Sequence, residues 1–211
     1  MRMPAITFQL MPGDLVLVDA RNSALAAWFA DLCCGLVPLA GGTVRFLGRD
    51  WASMPHHYAA ALRGRIGRVF ATGAWIESLD VATNILLPQL HHTRREAAAL
   101  REKAAHLARS FGLPGLPMER PADFPPEDCA RAACVRAFLG EPALLVLESP
   151  LRGRRSELLL PLLNAVAAAR NEGAAAIWLA GSDPIWGDRS FPATSRLRLS
   201  DQGLAPVRRS A

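Results

Sequence analysis

The sequence predicts an α/β fold, a three-layer sandwich in which helices cover both faces of a mainly parallel sheet. Residues 142–150 and 173–183 are continuous apolar runs of strand length without polar alternation, which is typical of strands buried on both faces. Strand and helix patterns also alternate along much of the chain, as in α/β proteins. The 211 residues, 51% of them hydrophobic, fit a single domain with a core of its own.

The first third of the chain predicts strands joined by one clear helix. The helix runs from about Ser23 to Cys34, since Asn22 or Ser23 can cap its start and Gly35 suits its end. Apolar, β-branched stretches bounded by Gly, Pro and Asp predict the strands. In chain order, the predicted strands are 6–10, 14–19, a strand and turn over 42–50, and a short buried strand over 64–71.

The middle of the chain is predicted to be helical. A turn and a short helix over 75–88 are expected to end at Pro88. Thr93 and Glu96 have capping-box spacing, which predicts a long helix from there to about Phe111. A proline-rich connection over 112–126 leads to a second helix, Glu127 to Leu139. These elements predict an inserted helical part, approximately 75–140.

The remaining third returns to the α/β pattern. A buried strand is expected within 142–150, a helix over about 157–171, a second buried strand within 173–183 and a terminal hairpin over 195–207. No apolar run reaches the roughly 18–20 residues needed to cross a bilayer, and the start lacks the pattern of a signal peptide. We therefore expect a cytosolic chain that meets a membrane only through a partner.

Composition argues against several classes of function. The net charge is +5, but no basic patch interleaved with aromatic residues is present, so nucleic-acid binding is not expected. Cys33, Cys34, Cys129 and Cys134 form no CxxC pair and lie in apolar helical surroundings, which predicts reduced thiols. Adjacent histidines at 56–57 and 91–92 point in different directions. We expect no metal and no other cofactor.

The most informative stretch is the strand-turn-helix segment around residues 19–27. Such a turn can hold phosphate, because glycines let backbone N–H groups wrap the anion and a lysine neutralises it. Here the turn contains neither glycine nor lysine, and the only lysine of the chain is Lys103, on another helix. The framework of a phosphate site is present without the residues that contact phosphate.

Nearly the whole chain resembles the ATP-binding subunits of ATP-binding cassette (ABC) transporters. The matching stretches occur in the family's order, namely GDLVLVDA, CCGLVPLAGGTVRFLGRD, LRGRIGRVF, ESLDVATNILLP and RAACVRAFLGEPALLVLESP. The resemblance implies a single ABC-ATPase-like domain over 1–211, of the P-loop NTPase type. It also implies a small N-terminal antiparallel β part and an inserted helical subdomain.

The resemblance places the family's phosphate loop on residues 20–27. Its two glycines fall on Ala20 and Leu25, its lysine on Ala26 and its magnesium-binding hydroxyl on Ala27. Between the two glycine positions stand Arg21, Asn22, Ser23 and Ala24. Two alternatives remain for this turn. Arg21 and Ser23 retain some anion binding at the helix N-terminus, or Ser23 caps the helix and Arg21 is solvated.

The resemblance also places the family's other nucleotide-binding residues. The Asp-Glu pair that ends the second nucleotide-binding strand falls on Glu148 and Ser149; Glu148 keeps a carboxylate for a metal, but Ser149 cannot act as a base. The glutamine of the glutamine loop falls on Ala71 and the switch histidine near Ser182. The aromatic residue that stacks on adenine has no counterpart, since the one tyrosine, Tyr58, lies elsewhere.

The family's signature loop, which faces the ATP of a partner subunit, is replaced by an acidic segment. The corresponding residues are Phe124, Pro125, Pro126, Glu127 and Asp128. The prolines lack N–H donors, and the carboxylates repel phosphate. At about 4 Å and an effective dielectric near 20, one such charge pair costs about 4 kcal/mol. A proline followed by acids nevertheless favours the start of a helix.

Taken together, these losses predict a non-catalytic subunit of an ABC transporter, without catalytic residues or a bound cofactor. The implied partners are a transmembrane permease and a second cassette, either a copy of this chain or an intact ATPase; a homodimer would have no competent site. The family's permease contact falls on Thr72, Gly73, Ala74, Trp75, Ile76, Glu77 and Ser78. Trp75 and Ile76 are the expected anchors, although Trp75 could instead belong to the core.

The segment GAWIESLDVATNILLP resembles ATPases of phospholipid-transport systems of the MCE (mammalian cell entry) type, which implies lipid transport between membranes. Two further functions stay open: a soluble scaffold or regulatory protein that has this fold but no permease, and a weakly active ATPase.

Overall fold

The computed structural model describes residues 5–151, 155–181 and 184–207. Its helices are α1 (Ser23–Cys33), α2 (His56–Arg63), α3 (Val81–His92), α4 (Ala97–Ser110), α5 (Pro126–Phe138) and α6 (Arg155–Asn171). Its strands are β1 (Leu15–Asp19), β2 (Arg45–Phe46), β3 (Arg49–Asp50), β4 (Ile66–Val69), β5 (Leu144–Glu148), β6 (Ala175–Leu179), β7 (Ser195–Ser200) and β8 (Gly203–Pro206). Short 3-10 turns lie at 51–53, 121–123 and 184–187.

The main sheet has six strands in the order β4-β5-β6-β1-β7-β8. All neighbouring pairs are parallel except the β7-β8 hairpin, and β2 and β3 form a separate antiparallel pair. This is the predicted α/β architecture with a mainly parallel sheet, a small antiparallel part and a helical part between β4 and β5. The two continuous apolar runs contain the fully buried strands β5 and β6.

The core is divided by the sheet into two clusters. On one face, Leu145, Leu147 and Trp178 pack against α3, α4, α5 and α6. On the other face, Val146 and Ile177 pack against α1. Alternate residues of β5 therefore face opposite clusters, as the pleat of a strand requires. Both faces of the central strands are covered, which explains why their sequences lack polar alternation.

Helix α1 follows the predicted boundaries. The Asn22 side chain accepts a hydrogen bond from the Leu25 N–H at 3.1 Å and caps the start. After the helix, Gly35 takes φ +63°, and a Cβ there would lie only 2.4 Å from the Trp51 ring. Glycine is thus required at this position twice, for its backbone conformation and for the close approach of Trp51.

Three local predictions are wrong. The segment 6–10 forms no strand; its alternating apolar residues Ile6, Phe8 and Leu10 pack on the cluster around α1 without a hydrogen-bonded ladder. Helix α3 does not end at Pro88 but continues to His92, because buried residues on both sides of the proline hold it by tertiary packing.

The capping box predicted at Thr93 is also wrong. Thr93 ends α3, where its hydroxyl donates to the Gln89 carbonyl at 2.6 Å. Helix α4 consequently begins at Ala97, after Glu96. Helix α2 was not predicted at all; it is short and Ala59 is its one buried residue.

Strand β4 and helix α5 approach each other most closely at Gly67. A Cβ built there would lie 2.1 Å from the Ala137 carbonyl oxygen, a backbone atom with little freedom to move. We expect Gly67→Ala to lower the free energy of unfolding by about 1–3 kcal/mol in a denaturant titration, as overpacked cores do. Gly115→Ala is the matched control, because no atom lies within 4 Å of the position that its methyl group would take. Equal stability of the two variants would contradict this close packing.

Candidate functional site

The candidate site lies at the edge of the sheet where the parallel strands end. Since β1, β4, β5 and β6 are parallel, their carboxyl ends and the residues after them meet at one edge. Helix α1 also begins there, immediately after β1. The sequence-predicted positions therefore converge on this edge, and they divide into a turn before α1, a pair of residues at the end of β5 and an open groove.

The turn between β1 and α1 consists of residues 20–22 alone. Asn22 accepts from two N–H groups in the first turn of α1: the Leu25 N–H bonds to its side chain at 3.1 Å and the Ala26 N–H to its carbonyl at 2.9 Å. Ala20, Leu25 and Ala26 are buried, and Leu25 is only 2% exposed. The first turn of the helix thus directs apolar side chains into the core.

Asn22 rather than Ser23 caps α1, and Arg21 is largely exposed to solvent. Ser23 is the first exposed residue of α1, and the cap is Asn22. The Arg21 side chain is 78% exposed, and its Nε lies 3.4 Å from the buried carboxylate of Asp19. Asp19 also bonds to Arg198 Nε at 3.0 Å. Two surface arginines therefore neutralise one buried carboxylate at the end of β1.

At the end of β5, Glu148 is held in a buried ion-pair network. Arg68, on β4, places Nε 2.7 Å from Glu148 Oε1 and Nη1 2.6 Å from Asp31 Oδ1 on α1. The Arg68 side chain is 9% exposed. One planar guanidinium thus bridges two carboxylates, a geometry that arginine fits better than lysine. The network ties β4, β5 and α1 together beneath the edge of the sheet.

The network sets the protonation of its members. Burial raises the pKa of Glu148, although Arg68 opposes that shift. Burial alone would lower the pKa of Arg68, but its bonds to Glu148 and Asp31 outweigh burial and raise it. Burial also raises the pKa of the neighbouring Cys34 thiol to about 11. Arg68 is therefore the fixed positive charge on which the buried Glu148 carboxylate depends.

Ser149 and Ala71 lie in an open groove of about 510 Å³. The groove separates the strand ends from the helical part, and among the described residues no charged side chain lines it. Ser149 takes φ +44° and donates its N–H to the Leu179 carbonyl at 2.8 Å. Ser182, the position of the switch histidine, lies outside the described residues.

The acidic segment at residues 124–128 begins α5 as expected. The helix starts at Pro126 after Pro125, and Phe124 turns into the groove. Glu127 is exposed, whereas Asp128 bonds to Arg131 one turn later at 2.8 Å. The carboxylates therefore stand at the positive end of the helix dipole, which stabilises them and the helix together.

The segment 72–78, the expected permease contact, is fixed by two side chains, the partly buried Arg136 and the buried Asn84. Arg136 on α5 donates to the Gly73 and Ala74 carbonyls, and its guanidinium lies 4.4 Å from the centroid of the Trp75 ring. Asn84 on α3 accepts from the Ile76 N–H at 2.9 Å and donates back to the Ile76 carbonyl. The main chain of this segment is therefore held in place although most of its side chains face solvent.

The two predicted anchors differ in exposure. Ile76 is 45% exposed. Trp75 is half-buried: one part of its surface packs on the core cluster and on Arg136, and the rest lines the groove. Trp75 thus contacts the core, while its role as a permease anchor stays a prediction.

Four residues of the site were not predicted from the sequence: Arg68, Asp31, Arg136 and Asn84. A signal existed for Arg68, because an arginine inside the short apolar strand RIGRVF must find a counter-charge when it is buried. Asn84 sits within an otherwise apolar helical stretch and gave a similar signal. No spacing rule could have paired Arg68 with residues 37 and 80 positions away.

Searches of known sequences give similar proteins of one kind. No protein-family model matches the chain. The lipoprotein-releasing system ATP-binding protein LolD of Buchnera aphidicola is 23% identical over 146 residues, which cover 69% of this chain and 64% of LolD. The nickel import ATP-binding protein NikE of Pseudomonas putida is 27% identical over 84% of this chain and 66% of NikE.

A third relative is the intermembrane phospholipid transport system ATP-binding protein MlaF of Haemophilus influenzae. It is 25% identical over 71% of this chain and 56% of MlaF. The chain spans less than two thirds of LolD and of the glutamate/aspartate import protein GltL of Escherichia coli, at 64% and 47% of their lengths.

Solved structures share the fold over the whole chain. A dimeric ATP-binding cassette in a post-hydrolysis state with ADP and Pi has a TM-score of 0.83 at 14% identity, over 99% of this chain and 91% of that one. An ATP-binding subunit of an ABC transporter has a TM-score of 0.81 at 20% identity, over 97% and 83%. The chain thus has the ABC ATPase fold and resembles the ATP-binding subunits of ABC transporters in sequence.

We expect Arg68→Met to destabilise the protein by about 3–5 kcal/mol at pH 8, because it leaves the buried Glu148 carboxylate without a counter-charge. The folded-state pKa of Glu148, already raised by burial, rises further without Arg68. A protonated Glu148 stabilises the folded variant relative to the unfolded chain. This stabilisation is complete below the pKa of a glutamate in the unfolded chain, about 4.3, and is lost as the pH rises through the pKa of Glu148 in the folded variant.

The loss should therefore be smaller at pH 5 than at pH 8, as measured by urea titrations at both values. Arg68→Met/Glu148→Gln is the control, because the second change removes one unpaired charge and should restore part of the stability. A loss that is independent of pH and unchanged in the double variant would contradict the ion-pair interpretation.

Proposed function

We propose that this chain is a non-catalytic, ATP-binding-cassette-like subunit of a membrane transporter, which acts as a structural or regulatory partner of a permease. Its domain would extend over residues 1–211, with the helical subdomain at approximately 75–140. The proposal retains the permease as a partner, as expected of the fold, and excludes ATP hydrolysis. The observation that carries it is the ion pair between Arg68 and Glu148.

In the nucleotide-binding proteins that this chain resembles, the carboxylate at the position of Glu148 serves a magnesium ion. Magnesium requires free oxygen ligands and approximately octahedral space around the ion. Here Glu148 is bonded to Arg68, whose guanidinium is itself a permanent cation. A further cation beside it would meet a repulsion of about 4 kcal/mol per pair of unit charges at about 4 Å and a dielectric near 20. The residues present do not fit a magnesium-nucleotide site.

The turn before α1 supports the same conclusion. A phosphate loop offers free backbone N–H groups to the anion. In this chain Asn22 takes the donors of Leu25 and Ala26, while the side chains of both residues are buried in the core. Where a lysine would neutralise the phosphate, Ala26 supplies only packing. The turn thus offers a phosphate neither a lysine nor the N–H groups of Leu25 and Ala26.

The surface of this chain that would face the second subunit of a cassette dimer is also altered. Pro125 and Pro126 have no N–H to donate, and the exposed Glu127 carboxylate stands beside them. A neighbouring subunit that presented ATP to this segment would meet negative charge. We therefore infer that this chain, in a homodimer or beside an intact ATPase, lowers the number of competent sites in the assembly.

The permease is proposed to bind the segment 72–78. Ile76 provides an exposed apolar side chain on a main chain that Arg136 and Asn84 hold in place. Such preorganisation lowers the entropy lost on binding. No helix within the described ranges is both long and apolar enough to cross a membrane. Attachment to the inner face of the cytoplasmic membrane would then depend on the permease.

The proposed cargo is a lipid or a lipid-modified protein. Two relatives, LolD and MlaF, are named for lipoprotein release and intermembrane phospholipid transport. The nickel importer NikE and the amino-acid importer GltL are similar to a comparable degree. Identification of the permease would therefore test the proposed cargo.

Calorimetric titration with ATP tests the loss of nucleotide binding. We expect no saturable binding up to millimolar ATP, with or without magnesium, and no phosphate release above background. A related intact ATPase measured in parallel is the positive control. Micromolar affinity, or turnover abolished by Glu148→Gln, would instead establish the weakly active ATPase.

Site-specific photo-crosslinking in cells tests the partner. A photoreactive amino acid at Ile76 should form an adduct with a polytopic membrane protein that mass spectrometry can identify. The same probe at Tyr58, which is 58% exposed on α2, is the matched control and should not form that adduct. If Ile76 yields only soluble adducts and the chain is absent from the membrane fraction, the scaffold function without a permease is correct.

A further inference from the structure

A continuous series of contacts joins the buried ion-pair network to the segment 72–78. Arg68 bonds to Glu148 and Asp31, and its guanidinium carbon lies 4.3 Å from the centroid of the Phe70 ring. The guanidinium carbon of Arg136 lies 5.5 Å from the same ring. Phe70 therefore contacts two arginines from two different elements, β4 and α5.

Arg136 extends the series to the exposed segment. It donates to the Gly73 and Ala74 carbonyls and lies over the Trp75 ring. Burial lowers its pKa to about 10. Among the described residues no carboxylate pairs with Arg136, so backbone carbonyls and aromatic faces compensate its charge. An arginine placed in this way is well suited to fix a loop, because its rigid fork orients two carbonyls at once.

The backbone of the segment fits this clamp. Gly73 takes φ +80°, and a Cβ there would lie 2.6 Å from the Trp75 indole nitrogen, so the main chain folds closely under the ring. Ala74 takes φ +50°, a conformation that costs energy for a residue other than glycine. Surrounding contacts must hold such a conformation, and the carbonyls of these two residues are the ones that Arg136 binds.

We propose that Arg68, Phe70 and Arg136 form an arginine-aromatic stack that locks segment 72–78 in a single binding conformation, independently of nucleotide. Arg68, Phe70 and Arg136 are positioning residues, since none of them is proposed to contact the partner. The inference rests on the proposed function for the identity of the partner, a permease. The lock itself is a property of the isolated chain.

Because of this lock, the conformation of segment 72–78 would not depend on nucleotide. Ala71, between Phe70 and the segment, has only a methyl group and cannot transmit a hydrogen bond from a ligand. The charges at both ends of the stack are permanent, because arginine stays protonated at physiological pH. The segment would then present the same surface at all times, and the subunit would remain bound throughout the cycle of the transporter.

Hydrogen exchange of the backbone amides in 72–78, measured on the full chain by mass spectrometry, tests the lock without any partner. We expect Arg136→Met to accelerate exchange in this segment at least tenfold and Phe70→Leu to accelerate it severalfold. Arg131→Met on the same helix is the matched control, since it removes only pairs with Asp128 and Glu157 and should leave the segment unchanged.

The distant member of the stack gives the decisive comparison, made in the Arg68→Met/Glu148→Gln variant so that no buried carboxylate is left unpaired. This variant should accelerate exchange in 72–78 beyond the average for the rest of the chain, and that excess should disappear in a Phe70→Leu background, because the contact that transmits it is already lost. If the variant does not fold well enough for the measurement, Phe70→Leu alone decides. Unchanged exchange in Phe70→Leu, or an excess in 72–78 that is fully additive with Phe70→Leu, would overturn the proposal.

Addition of magnesium and ATP separates this inference from the proposed function. We expect the exchange pattern of the unaltered chain to stay the same within error. A change confined to residues 20–27 would contradict the loss of nucleotide binding but leave the lock intact. A change in 72–78 would overturn the lock.

Discussion

The buried guanidinium of Arg68 is the interaction on which the arrangement of this sheet edge depends. The Glu148 carboxylate at the end of β5 is buried and would be unstable there alone, whereas the Asp31 carboxylate on α1 is partly exposed and pairs with the same guanidinium. One arginine from β4 neutralises both and satisfies their geometry. Because the three residues come from three elements, this cluster fixes the relative position of β4, β5 and α1 in a way that apolar packing, which is non-directional, would not.

The same edge of the sheet shows how the fold could be kept under the proposed loss of catalysis. The strands, the helix that follows β1 and the start of α5 are all supported by contacts within the chain: caps, buried alanines and leucines, and ion pairs. None of these contacts needs a ligand. Substitutions that oppose phosphate, such as Leu25 in the core and Glu127 at a helix start, are each favourable to local structure. The fold and the proposed loss of catalysis therefore do not conflict.

Much of the architecture could be predicted from the sequence, because burial on both faces leaves a clear pattern. The apolar runs of β5 and β6 and the capped start of α1 are examples. Predictions failed where tertiary packing outweighs local rules, as at Pro88 within α3, or where burial is slight, as in α2. For the site, one sequence can locate Glu148 by resemblance, but the partner of that carboxylate is fixed only by the register of two strands.

The start of α1 has a consequence for the lifetime of this protein in the cell if nucleotide binding is lost as proposed. A protein that binds a ligand gains folding stability in proportion to the logarithm of ligand concentration over Kd. With Asn22 accepting from the Leu25 N–H and Leu25 buried in the core, the proposed function gives this chain no such stabilisation by ATP. Its resistance to proteolysis would then stay constant when cellular ATP falls, whereas that of ligand-dependent proteins would decline. In the proposed transporter, turnover in starved cells would then shift the composition toward this subunit.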